Sequence, residues 1–378
     1  MTTTLRFTTA LLALLACTSP AAGQQATGTE PAGTATVSAP AAAQDEAPAA
    51  ESSWKKGRPI TMQYFRPLDK RGINVFETTK SPGVEFTGFK LDFGAAFTSQ
   101  VQNLSHSNTA VPVMASGVDT NQLADIGFGF NNSTANLALN AQVAPGIRVA
   151  LTSYLSSRHH NETWVKDGYM QIDQSPIDLL PLRMLFEIAT VRVGHMEINY
   201  GDAHFRRSDN GNGMFNAFAG NYILDDFTTE IGAEVYERSG PFLAMVGITG
   251  GEIHGQVANP GGKSVGTLGK IGFDQSLGKD LRFRLTGSFY ANNKAISSTL
   301  FTGDRGGSMY YDVLENTAST ETANAWSGQV RPGFSNKVNA QVINPFIKIG
   351  GAEFFGSFET ATGGAFSEPK LRTLHQNV

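Results

Sequence analysis

"LRFRLTGSFYAN" (281–292) sets Leu281, Phe283, Leu285, Gly287, Phe289 and Ala291 against Arg282, Arg284, Thr286, Ser288, Tyr290 and Asn292. Alternate side chains of a β-strand face opposite ways, so this stretch presents one apolar face and one cationic, polar face. A soluble antiparallel sheet produces such a strand with its apolar side on a core. A transmembrane barrel produces it with lipid outside and water inside. The rest of the chain separates the two.

The same alternation recurs. In 88–102, Phe89, Leu91, Phe93, Ala95 and Phe97 oppose Lys90, Asp92, Gly94, Ala96 and Thr98. The stretches 134–143 and 147–157 flank Pro145 and Gly146 and read as a tight hairpin. Further pairs fall at 229–238 with 241–250, 265–275 with 281–292, and 342–350 with 352–361. Long connections rich in Asn, Ser, Thr and Gly (103–122, 251–264, 293–340) alternate with these tight turns. Compact soluble domains rarely carry such loops, whereas porin-like barrels have short turns at one end and long loops at the other. The expected fold is all-β, a transmembrane antiparallel up-and-down β-barrel, with ten or eleven strands legible. The carboxy terminus, "PKLRTLHQNV", stops without the usual closing aromatic residue, so the barrel is expected to be incomplete there.

The amino terminus reads as a targeting region. Residues 1–23 carry Arg6, the apolar run "TALLALLAC" and the small residues "SPAAG", the layout of a secretory signal peptide. Residues 24–53 are Ala, Thr, Pro, Gln, Gly and Ser with acidic residues, a composition that cannot bury a core and reads as a disordered leader. The barrel domain is expected over 54–378. Cys17 is the only cysteine, so the body after a signal peptide has no disulfide. "LLAC" at 14–17 also resembles a lipobox, which would make Cys17 a lipidation site.

Downstream of the signal peptide no apolar run is long enough for a membrane helix, so insertion would have to use strands. The 29 Lys and Arg against 33 Asp and Glu give a net charge of -4, which implies no nucleic-acid partner. No G-x-S-x-G, H-E-x-x-H or phosphate-loop spacing occurs, so neither an enzyme nor a cofactor is expected. His195, Glu197, Asp202 and His204 are metal-binding residue types without a zinc spacing, and His159 and His160 alternate in direction on a strand. Opposed charges in 205–227 (Arg206, Arg207 and Asp209, then Asp225 and Asp226) are candidates for a lumen constriction, since facing charges are how pores filter solutes. Arg282 and Arg284 are candidate pore-lining residues by period two.

One stretch, 182–202, alternates on neither face, and a bulge near Gly194 would reconcile it. Within it, "RVGHMEINYGD" (192–202) resembles a segment of bacterial porins of the phosphate-selective porin O/P-like group, with Gly194, Met196, Tyr200 and Gly201 matching; "WVKDGYMQID" (164–173) resembles the strand that leads into it there. The resemblance implies a barrel of about sixteen strands, a homotrimer and passive uptake of small solutes. It carries no phosphate selectivity over, because the arginine and lysine ladders of that group cannot be placed. The expected function is an outer-membrane porin for small hydrophilic solutes or ions, in contact with outer-membrane lipid. The alternative is a surface or periplasmic β-rich binding protein, lipidated at Cys17.

Overall fold

The computed structural model describes residues 62–67, 72, 74–77, 80, 84–156, 163–206, 224, 226–251, 260–301, 312–320, 324 and 330–378. The stretches read as a signal peptide and leader, with Cys17, lie outside these residues, as do His159 and His160.

The described strands are β1 (Lys90–Asn103), β2 (Met114–Ala115), β3 (Val118–Asp119), β4 (Phe128–Ala144), β5 (Ile147–Ser156), β6 (Trp164–Ile172), β7 (Ala189–Glu197), β8 (Thr229–Ser239), β9 (Phe242–Thr249), β10 (Gly266–Leu277), β11 (Leu281–Asn292), β12 (Lys337–Ile349), β13 (Ala352–Phe355), β14 (Phe358–Gly364) and β15 (Arg372–Asn377). Thirteen of them form one antiparallel sheet in the order β1-β4-β5-β6-β7-β8-β9-β10-β11-β12-β14-β15, with β13 also on β12. Neighbours in the sheet are neighbours in sequence, apart from the small β2–β3 hairpin at the tip of the β1–β4 connection. The fold is therefore an all-β, up-and-down meander. β1 and β15 are its two edges and are not paired with each other, so among the described residues the wall does not close into a barrel.

The tight turns fall where the sequence places them. Gly146, Gly240, Gly278 and Gly350 all take positive φ between consecutive strands, a conformation that only glycine adopts freely. The last hairpin differs in detail: β12 is answered first by β13 and then by β14, with the interruption at Gly356 and Ser357.

The irregular stretch 182–202 resolves differently from the expectation. Its first part is a helix, α1 (Leu180–Ile188), with a proline in its first turn. Pro181 suits the first turn because its missing N–H has no partner to lose there, and Leu, Arg, Met and Glu continue the helix well. No bulge occurs at Gly194: the β6–β7 register runs unbroken from Gly168↔His195 to Ile172↔Val191. Gly194 instead holds φ +145, and a Cβ there would lie 2.5 Å from the Gly168 carbonyl oxygen. The register shifts that do occur lie at Thr98/Gln100, Gln142/Ala144 and Thr152/Ser153.

The sheet curls. Asp226 and Phe227 are consecutive, with Cα atoms about 3.8 Å apart. Asp226 accepts a hydrogen bond from Gln376 on β15 (3.3 Å), while Lys166 on β6 sits 5.1 Å from the Phe227 ring. Eight strand steps separate β6 from β15 in the sheet, about 38 Å if it were flat. Only a sheet curved around residues 226–227 lets both strands reach them. At the long-loop end, the β1–β4 connection joins the β11–β12 connection through Ala124 N–H to Glu315 O (2.9 Å) and Thr317 N–H to Gln122 O (3.2 Å).

The two faces are inverted relative to a soluble protein. On β11, Leu281, Phe283, Leu285 and Phe289 are exposed, while Arg284, Thr286, Ser288, Tyr290 and Asn292 are buried. β9 is apolar on both sides, with Phe242, Val246 and Ile248 out and Leu243 and Met245 in. β1 carries Leu91, Phe93, Phe97 and Val101 on its exposed side. Phe289 lies over Gly269 of β10, filling the space that glycine leaves on the outer face.

Candidate functional site

The buried face holds a dense polar centre, assembled from the strand wall and two stretches of chain that turn inward. After β7 the chain leaves the sheet. Ile198 N–H donates to Thr228 O (3.2 Å), Asn199 N–H to the Glu234 carboxylate (2.8 Å) and Asp202 N–H to Asn344 Oδ1 (2.9 Å). Gly201 takes φ +66, and a Cβ there would press on Val342 and Asn344. A short 3-10 turn, Ala203–Arg206, follows. Tyr200 donates to Glu359 (2.5 Å). Burial and the Glu359 charge hold its hydroxyl well above the ordinary value, so it donates as a neutral phenol.

Asp202 is the hub. Arg284 grips its carboxylate with two hydrogen bonds of 2.8 Å, Thr286 donates at 2.9 Å and Lys270 at 3.0 Å. Such paired, charge-assisted bonds are the strong class. Arg284 also reaches Asp274 (3.1 Å) and Glu77 (2.8 Å). Arg282 holds Asp274 with contacts of 2.8 and 2.7 Å. Arg238 completes the group at 3.4 Å from Asp274. Arg284 and Asp202 are 0% exposed.

The second inward stretch is 74–77. Glu77 accepts from Asn199 (3.0 Å) and Lys270 (3.2 Å), and its carbonyl accepts from Arg238 (2.7 Å). The Asn74 carbonyl accepts from Arg282 (2.7 Å), and its side chain donates to Glu353 (2.5 Å). The Phe76 ring lies 4.1 Å from the Arg284 guanidinium and packs edge-on against Phe205 and Phe346. Burial alone would raise the acids Glu77 and Asp202; Lys270 and Arg284 outweigh it and leave both below the ordinary carboxylate range. Both are therefore anions.

The expected site residues separate into two groups. Arg282 and Arg284 share the buried face of β11, as period two requires, and each is matched by carboxylates. Arg206 and Asp226 are buried, but the structure does not bring them together. Arg206 joins Asn74 (3.1 Å) and Glu353 (3.4 Å) and stacks against Phe355. Asp226 belongs with Gln376 and Glu359. Glu353 pairs with Lys348 and Glu359 with Val342, six residues apart on β12 or about 20 Å along it. Arg207, Asp209 and Asp225 lie outside the described residues. Among the metal-type residues, His204 gives Nδ1 to Glu197 and Nε2 to Asn199 (2.9 Å). His195 lies on β7 and pairs with Gly168 and Ile231 in the two flanking ladders.

No protein-family model matches this chain, and no curated protein matches it.

Glu77, Asn199, Lys270, Asp274 and Arg238 were not among the sequence candidates. Lys270 and Asp274 had a legible signal: both stand on the polar side of "GTLGKIGFDQS" and face Ser288 and Arg284 across the hairpin. Asn199 and Glu77 had none, since neither lies in an alternating stretch. Above this centre, toward the long loops, the buried face adds an apolar cluster: Leu268, Tyr290, Val338, Ala340 and Val342 pack with Leu300, Phe301 and Phe334.

Proposed function

We propose that this chain is an outer-membrane β-barrel of porin type, through which small hydrophilic solutes or ions diffuse passively. One observation carries the reading: the exposed face of the curled sheet is apolar while its charges are buried. Water-facing monomers do not leave so extensive an apolar surface uncovered. From Phe89 to Val101 the exposed side of β1 is apolar at nearly every second residue. Those twelve steps cover about 41 Å, and at a tilt near 45° about 29 Å of depth, the thickness of a bilayer's hydrocarbon. The signal-peptide layout and the similarity of 164–202 to phosphate-selective porins support the same reading, and with it an outer-membrane location, lipid contact and a trimer.

A second reading draws on the filled interior. A barrel packed with inward chain is suited to anchor its long loops for binding rather than to conduct. Purified protein in planar bilayers separates the two. The porin reading expects heat-modifiable migration on a gel and ohmic currents. Heat-modifiable protein that stays without current even when its inward ion pairs are neutralised favours the binding barrel, and identical migration before and after heating removes the membrane barrel altogether.

A further inference from the structure

We infer that residues 74–77 are a charge-locked plug and that Glu77 is the residue that holds the passage shut; this rests on the channel reading above. The segment has no strand register. Its partners come from β8 (Arg238), β10 (Lys270), β11 (Arg282 and Arg284), β13 (Glu353) and the inward turn (Asn199 and Arg206), so it runs across the inner face of the wall from β8 to β13, held between that face and the inward turn. At its level the inner side chains are covered: Lys270 and Arg284 are 1% and 0% exposed.

The manner of attachment points to release. Apart from Phe76, which packs on Phe205 and Phe346, the contacts described for 74–77 are hydrogen bonds and ion pairs, which water can replace. An apolar anchor has no such substitute. Charge supplies the latch. Arg238, Lys270, Arg282 and Arg284 converge on Glu77, Asp202 and Asp274, an excess of one cation. Withdrawal of Glu77 raises that excess to two, and the stronger positive field draws the carboxylate back. The plug therefore reseats by electrostatics, and the neutral side chain of Glu77→Gln removes the attraction while keeping the shape.

The test uses the full chain in planar bilayers, with Cys17→Ser so that introduced thiols stand alone. Glu77→Gln should raise the open fraction on the order of tenfold or more over the parent, the scale set by charged hydrogen bonds. In a second variant, Asn74→Cys with Glu353→Cys, a cleavable thiol cross-linker should silence the channel and its cleavage should restore current. Equal, non-zero open fractions for parent and Glu77→Gln overturn the plug while leaving the channel standing. A cross-linked channel that conducts like the cleaved one overturns it too. Silence from every variant of a heat-modifiable protein overturns the channel reading and the plug with it. Should Glu77→Gln fail to assemble, the cross-linking arm decides.

Discussion

Leu285→Arg puts the inverted faces to a quantitative test. Leu285 stands midway along the apolar band of β11, four residues from Leu281 and four from Phe289, and it faces Phe273 and Pro345 across the two ladders. Each half of the band is about 14 Å along the strand, or about 10 Å of depth at a tilt near 45°. Leu285 is thus close to the middle of any hydrocarbon layer that covers the band. An arginine there costs about 2–4 kcal/mol in a bilayer, a shift of roughly 30- to 700-fold in the folding equilibrium. On a water-facing sheet the same change falls within about 0.5 kcal/mol. The assay is urea titration of protein folding into lipid vesicles, read by tryptophan emission and by heat-modifiable migration. A Leu285→Arg midpoint indistinguishable from the parent, with unchanged slope, refutes the assignment of this face to lipid.

Arg284→Met leaves Asp202, Glu77 and Asp274 short of a shared cation and should cost about 3–5 kcal/mol in the same titration, the range for breaking a buried pair; a loss under about 1 kcal/mol would show that the pairs are hydrated. Acid should loosen the interior: Glu77 and Asp202 titrate below their unfolded values, so their contribution is fully present above the ordinary carboxylate range and is lost as pH falls through the folded values. Protease accessibility of 74–77 against pH measures this, and Glu77→Gln with Asp202→Asn should flatten the profile. Gly194→Ala should destabilise by about 1–3 kcal/mol through its φ of +145 and the 2.5 Å approach to Gly168 O, measured by thermal melting; a neutral result would mean that β6 and β7 can part there without loss.

The sheet was legible because period two leaves a mark at every residue. β1, β4, β5, β8, β9, β10 and β11 fall where alternation and glycine turns place them. α1 was missed because Leu180–Ile188 is apolar nearly all round, which blurs strand and helix periods alike; Pro181 was the overlooked signal. The interior was mostly illegible. Which acid would meet Arg284 depends on how the chain re-enters the sheet after β7, and no local pattern encodes a meeting between residues 82 positions apart. Arg282 and Arg284 were found since strand parity alone determines their side. Arg206 and Asp226 were grouped by proximity in sequence, and their partners Glu353 and Glu359 stand at different heights along β12.

The ion-pair centre also bears on the order of assembly. Asn74 and Arg282 are 208 positions apart, and Glu77 and Lys270 are 193 apart. Neighbouring hairpins can zip in sequence order with short loop closures, but this centre cannot form until β10 and β11 exist. Before then Glu77 is a carboxylate without its cations, and burying it alone is prohibitive. Residues 74–77 must therefore wait in water while the wall grows, and enter only once Lys270 and Arg284 are in position. The earliest-made part of the sheet's contents is the last to be installed, which makes arrival of the β10–β11 hairpin the committing event for the whole interior.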